Sequence, residues 1–149
     1  QIFTPNLFGP GIQVEDVRYQ MASLDAGVKY RGYSLEAEYY WRHLSDFSGP
    51  GVTAGLIDEI HDTGYQVQAS AMLVPTLLQV YGGYSEIQGR YGDSNELRAG
   101  FNYFPNRHRG IRVNGEYLRL DDIPVGYTAV PYPVGGDGDV FHLNFEMNF

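Results

Sequence analysis

Residues 140–149 read V-F-H-L-N-F-E-M-N-F, with Phe141, Leu143, Phe145, Met147 and Phe149 apolar and His142, Asn144, Glu146 and Asn148 polar between them. Successive side chains of a strand point to opposite faces, so this spacing places every apolar group on one side. A ten-residue alternation of this kind demands an apolar medium on one face and water on the other. That medium is either a protein core or a lipid bilayer.

The same period of two recurs upstream. A first strand is expected over about 17–31, with Leu24, Ala26, Val28 and Tyr30 alternating against Asp25, Gly27, Lys29 and Arg31. Its earlier half, Val17, Tyr19 and Met21, runs in the opposite phase, and the slip near Ala22–Ser23 predicts a β-bulge. After a tight turn at Arg31–Gly32–Tyr33, a strand over 34–44 sets Leu35, Ala37, Tyr39 and Trp41 against Ser34, Glu36, Glu38, Tyr40 and Arg42. Further strands are expected over 64–74, 77–87, 96–103 and 111–120, the last blurring at Leu118–Leu120. Residues 1–15, rich in Pro and Gly, read as a loop.

Three regularities favour lipid. The strands are long, roughly nine to eleven residues each, the length a tilted strand needs to cross a bilayer. The connections are expected to alternate, short at Gly32, Pro75–Thr76 and Pro105–Asn106, longer at 45–63, 88–95 and 121–139, as in outer-membrane barrels with short periplasmic turns. The apolar-phase aromatics also sort by height. Tyr39, Trp41, Tyr65, Tyr84, Tyr117 and Phe141 fall toward the long-loop rim, and Tyr30, Tyr103 and Phe149 toward the short-turn rim, as rings that prefer the headgroup level would. The expected fold is therefore all-β, an antiparallel transmembrane β-barrel. No apolar run is long enough for a membrane helix, and the N-terminus lacks the pattern of a signal peptide. A net charge of −8 argues against a nucleic-acid partner, and the absence of cysteine excludes disulfides and thiolate metal sites.

Seven strands cannot close on themselves antiparallel, because the first and last would run the same way. The expectation is that residues 1–149 are the C-terminal part of a longer barrel chain. An eighth strand from residues 1–9, opposed by Pro5, Gly9 and Pro10, and a split barrel completed by a second polypeptide are the alternatives.

Several phrases then carry a resemblance: Y-Q-M-A-S-L-D-A-G-V-K-Y-R-G from Tyr19, Y-S-L-E-A-E-Y-Y-W-R from Tyr33, G-Y-Q-V-Q-A-S from Gly64, N-E-L-R-A-G-F-N-Y-F-P from Asn95, P-V-G-Y-T-A-V-P-Y-P-V-G-G-D-G-D from Pro124, and the terminal strand. Residues 33–149 in particular resemble the C-terminal half of the phosphate-selective porin family. The resemblance implies a barrel of sixteen strands in the Gram-negative bacterial outer membrane, an exported and processed chain, a homotrimer, lipid contact, and recognition of the C-terminal strand by the barrel-assembly machinery. The family's phosphate-binding basic residues lie largely in the part not represented here, so none is carried over.

The polar phase supplies the pore-lining candidates: Lys29, Arg31, Glu36, Glu38, Arg42, Glu96, Arg98, Arg112, Glu116 and His142, together with Asp25, Gln66, Gln68, Gln79, Asn102, Asn114, Asn144 and Glu146. Both signs are interspersed, and cross-strand pairs such as Arg98 with Glu116 would hold such a wall rigid. The sharper alternative is that Arg42, Arg98 and Arg112 cluster into an anion track, since rings of Arg or Lys favour anions. Asp58-Glu59-Ile60-His61-Asp62 offers oxygen and imidazole donors for a divalent cation, with solvated loop charge as the plainer account. Gly135-Gly136-Asp137-Gly138-Asp139 matches neither a phosphate loop nor an EF-hand and is expected to reverse the chain into the last strand. No serine sits in a triad pattern and no cofactor motif is present, so no catalytic role is expected. The expected activity is passive diffusion of small hydrophilic or anionic solutes. The rival is a structural or scaffolding barrel that binds a partner protein and conducts little.

Overall fold

The computed structural model describes residues 9–53, 55, 59–90, 92–107, 110–123 and 135–148. Seven strands follow one another: β1 (Asp16–Tyr30), β2 (Tyr33–Ser48), β3 (Ile60–Val74), β4 (Leu78–Gly89), β5 (Gly92–Tyr103), β6 (Ile111–Asp121) and β7 (Gly138–Met147). Each pairs antiparallel with its sequence neighbour in the order β1-β2-β3-β4-β5-β6-β7, and the sheet is open, with β1 and β7 at its edges. Among the described residues there is no helix.

Local chemistry sets the turns. Arg31 and Gly32 both have positive φ, 48° and 87°, as a two-residue hairpin turn of the I′ type requires, and Gly32 takes the second position without a steric cost. Between β3 and β4, Pro75 supplies a fixed φ, Thr76 adopts φ 63°, and Leu77 N–H donates to the Val74 carbonyl at 3.0 Å. The expected strand start at Leu77 therefore moves to Leu78. One connection overturns an expectation. Residues 88–95 are not a loop of middling length: Gln88 pairs with Asp93 and Gly89 with Gly92, so β4 and β5 meet in a two-residue reversal. The alternation of short and long connections is thus not strict. A Cβ on Gly89 would run into the Asp62 carboxylate and one on Gly92 into that of Asp122, so the two glycines make room for acidic side chains beside the turn.

The expected bulge at Ala22–Ser23 is also absent. The β1–β2 register runs unbroken from Arg18↔Ser45 through Ala22↔Trp41 and Ser23↔Tyr40 to Tyr30↔Tyr33, and the only shift lies between Asp16 and Arg18. What changes at Ala22 is which face carries the apolar residues. Along most of the sheet one face carries Leu24, Val28, Leu35, Val67, Val80, Leu97, Val113, Leu143 and Phe145, and the other carries the polar candidates. Near the long-connection end the assignment inverts. The formerly apolar face there bears Gln20, His43, His61, Gln88, Asn95, Arg119 and Asp139, while the opposite face bears Met21, Leu44, Ile60, Ile87, Leu118, Leu120 and Val140. The blurring at Leu118–Leu120 has the same cause.

Among the described residues, the most deeply buried hydrophobes lie at this inverted end. Leu44 and Ile60, directly opposed across β2 and β3, are 1% and 2% exposed, and Ile123 joins them as a buried hydrophobe. Elsewhere the apolar face is bare, with Phe141 at 80%, Leu143 at 78% and Leu24 at 71%. The accessible surface of 10307 Å² compares with about 7,600 Å² expected for a compact soluble monomer of 16.7 kDa.

Candidate solute-facing wall

Strand register brings the polar candidates together. Lys29 (β1), Glu36, Glu38 and Arg42 (β2), Glu96 and Arg98 (β5), Arg112 and Glu116 (β6) and His142 (β7) all project from one face. A recess of about 770 Å³ on this face is lined by residues from Lys29 on β1 through Tyr81 on β4 to Arg112 on β6, so the sheet curls with its polar face concave. Arg31 also lines this recess, although from the turn and not from a strand. It is a turn residue beyond the end of β1, and its guanidinium sits 5.1 Å from the centre of the Tyr30 ring, a cation–π contact at the rim.

Uncharged side chains form a hydrogen-bonded band across the concave face. The Ser34 and Ser70 hydroxyls lie 2.8 Å apart, and Gln79 Nε2 donates to Ser70 Oγ at 3.0 Å. Asn102 Nδ2 donates to Gln79 Oε1 at 3.0 Å, Asn114 Nδ2 to Asn102 Oδ1 at 3.1 Å, and Asn144 Nδ2 to Asn114 Oδ1 at 3.3 Å. The chain of donors and acceptors runs from β2 to β7 without a break. Because Gln79, Asn102 and Asn114 each both give and accept, the band fixes its own side-chain rotamers. Sequence alone marks these residues as polar, but only the register makes them one band.

Glycines on the same face let large side chains lie flat over the neighbouring strand. A Cβ on Gly64 would collide with the Tyr40 ring, and one on Gly100 would come within 2.5 Å of the Tyr81 ring and hydroxyl. Tyr81 thereby reaches two strands across to donate to Glu116 Oε2 at 2.7 Å, and it accepts from Asn114 Nδ2 at 2.9 Å.

The charged pairs are not those expected. Arg98 does not pair with Glu116, because its direct partner on β6 is Leu118. It lies over Gly83, donates from Nη2 to Gln66 Oε1 at 3.3 Å and faces Glu96 Oε1 from Nε at 3.6 Å. Glu116 is held by Tyr81 and lies 3.8 Å from His142 Nδ1. Nor do Arg42, Arg98 and Arg112 cluster. Arg42 sits toward the long-connection end and donates Nε to the buried Asp62 at 2.8 Å, while Arg112, next to the short-turn end, meets Glu146 at 2.5 Å. Lys29 is paired with Glu36 at 2.7 Å. Carboxylates therefore neutralise most of the basic groups. Arg98 shares this: Glu96 is its ion-pair partner, yet its buried Nε, 3.6 Å from Glu96 Oε1, makes no hydrogen bond.

The convex face carries the aromatic candidates. Tyr39 and Trp41, Tyr65 and Tyr84, and Tyr117 and Phe141 form ring pairs with centroids 6.1, 6.0 and 5.0 Å apart. Tyr30 and Tyr103 occupy the short-turn end, and Tyr33, expected in the turn, instead opens β2, pairs with Tyr30 there and is exposed on the same face. Phe149 lies outside the described residues. Sequence reasoning also missed Glu86. It falls on this face beside the aromatic pairs, where Tyr65 and Tyr84 each donate to Glu86 Oε2 at 2.9 Å.

Searches against protein-family models, curated proteins and solved structures find no match for this chain.

Proposed function

We propose that the chain is one section of an outer-membrane β-barrel, its convex face against lipid and its concave face lining a passive channel for small hydrophilic solutes. The observation that carries this is the division of the sheet: a bare apolar convex face bounded by aromatic rings, backed by a concave face whose polar groups are tied into one band. An apolar face of this extent in water would be a large exposed patch. In lipid it is the expected surface, and the aromatics at its two ends sit at headgroup level. The inversion of faces near the long connections supports the same placement, since strands that continue past the bilayer turn polar outside and can bury Leu44 and Ile60 inside.

Lipid forbids open sheet edges, so β1 and β7 require further strands to complete the wall. β1 and β7 run in the same direction, and an odd number of added strands closes the barrel antiparallel throughout. The resemblance to the phosphate-selective porins supplies the sixteen-stranded, trimeric version of this reading. Arg98, which lines the recess and is tied only to Gln66 and Glu96, is the basic group whose charge bears on ion preference. Incorporation of the full-length protein into planar bilayers is the test. Discrete ohmic conductance steps are expected; a barrel that inserts yet conducts nothing would point instead to the scaffolding role.

A further inference from the structure

Where the faces invert, β2 and β3 place two histidines directly opposite each other on the outward side. His43 and His61 are register partners, their rings stacked at 4.3 Å between centroids and within 9° of parallel. Glu59, the residue preceding β3, directs Oε2 between them, 3.4 Å from Nε2 of each imidazole. All three donor atoms lie within 4.8 Å of one another. His43 Nε2 is buried and has no hydrogen-bond partner.

We propose that His43, Glu59 and His61 bind a divalent transition-metal ion of the zinc class. Such ions take imidazole nitrogen at about 2.0–2.1 Å and carboxylate oxygen at about 2.0–2.2 Å, which sets neighbouring donors of a tetrahedral site roughly 3.4 Å apart. Both imidazole–carboxylate separations already have that value. The remaining imidazole–imidazole separation closes by rotation of His61, whose side chain is 66% exposed and whose terminal torsion is soft. Two nitrogens and one carboxylate suit a borderline ion rather than calcium or magnesium, which prefer all-oxygen shells. A buried imidazole nitrogen with nothing to bond to is uncommon in native proteins, and a metal satisfies it. Three protein ligands leave one position for water.

The asymmetry of the motif explains why the sequence cluster Asp58–Asp62 reads differently in the fold. Asp62 turns to the concave face to hold Arg42, and Asp58 lies outside the described residues. The third ligand comes instead from His43 on the neighbouring strand. The ion would join the ends of β2 and β3 to the last residue of the long connection and stiffen that rim. This holds whether or not the convex face meets lipid.

The test is isothermal titration of the full-length protein with Zn²⁺, with Co²⁺ as a spectroscopic probe. Saturable binding at one ion per chain and a Co²⁺ d–d band are expected. Loss of a direct ligand costs at least what loss of an outer-shell partner costs, about 10–100-fold in affinity, so His61→Ala and Glu59→Gln each weaken binding by at least that range and His43→Ala/His61→Ala removes it. His142→Ala, on the other face, leaves it unchanged. Glu59→Gln is isosteric and lies outside the strands, so it remains informative if a histidine variant does not fold. No saturable binding by the unaltered protein, or binding undiminished in Glu59→Gln, overturns the proposal.

Discussion

Leu143→Arg separates lipid from water as the medium of the convex face. Leu143 is 78% exposed, lies in the middle of β7, and is flanked on its face by Phe141 toward one end and Phe145 toward the other. On a solvated surface an exposed Leu→Arg change stays within about ±0.5 kcal/mol. At the midplane of a bilayer the same change on a barrel costs about 2–4 kcal/mol, a shift of about 30- to 900-fold in the folded-to-unfolded ratio. The neighbouring Asn144 provides the internal control. It faces the concave side, where Asn144→Arg loses one long hydrogen bond of 3.3 Å to Asn114, a cost of about 1 kcal/mol. Equilibrium unfolding of the full-length protein in phospholipid vesicles, followed by tryptophan fluorescence and far-UV circular dichroism, measures both. Two substitutions one residue apart should differ in penalty, with the leucine variant the more damaged. Equal and small penalties would refute lipid contact at β7, and with it the membrane placement of the sheet.

Three other outcomes follow from the wall itself. Arg98→Glu reverses one charge in the recess; at about one Debye length the change is worth up to about 1 kcal/mol before screening, so the cation-to-anion ratio from reversal potentials should rise about twofold to fivefold, and no change would remove Arg98 from selectivity. Arg42→Ala strands the buried carboxylate of Asp62; stability should fall by about 1–3 kcal/mol, and Arg42→Ala/Asp62→Asn should recover part of it in the same unfolding assay. Gly64→Val drives a side chain into the Tyr40 ring and should destabilise by about 1–3 kcal/mol, with Tyr40→Ala relieving most of the loss. Additive effects of those two substitutions would mean the ring does not lie over Gly64.

Side-chain alternation along a strand is a local property. It needs no knowledge of the partner, and so the seven strands, their faces, the Gly32 hairpin and the placement of Lys29, Glu36, Arg42, Arg98, Arg112, Glu116 and His142 on one side were all legible in the chain before any fold was known. The same local rule misled at Ala22 and Leu118, where a swap of apolar and polar faces looks identical to a slip of one residue; only the unbroken pairing of β1 with β2 and of β6 with β5 and β7 tells them apart. Which groups meet across strands depends on register, a relation between distant segments that no window of sequence contains. Tertiary structure alone therefore decided that Arg98 turns to Gln66 rather than Glu116, that Asn102, Asn114 and Asn144 form one hydrogen-bonded line, and that His43 stands opposite His61 with Glu59 between them.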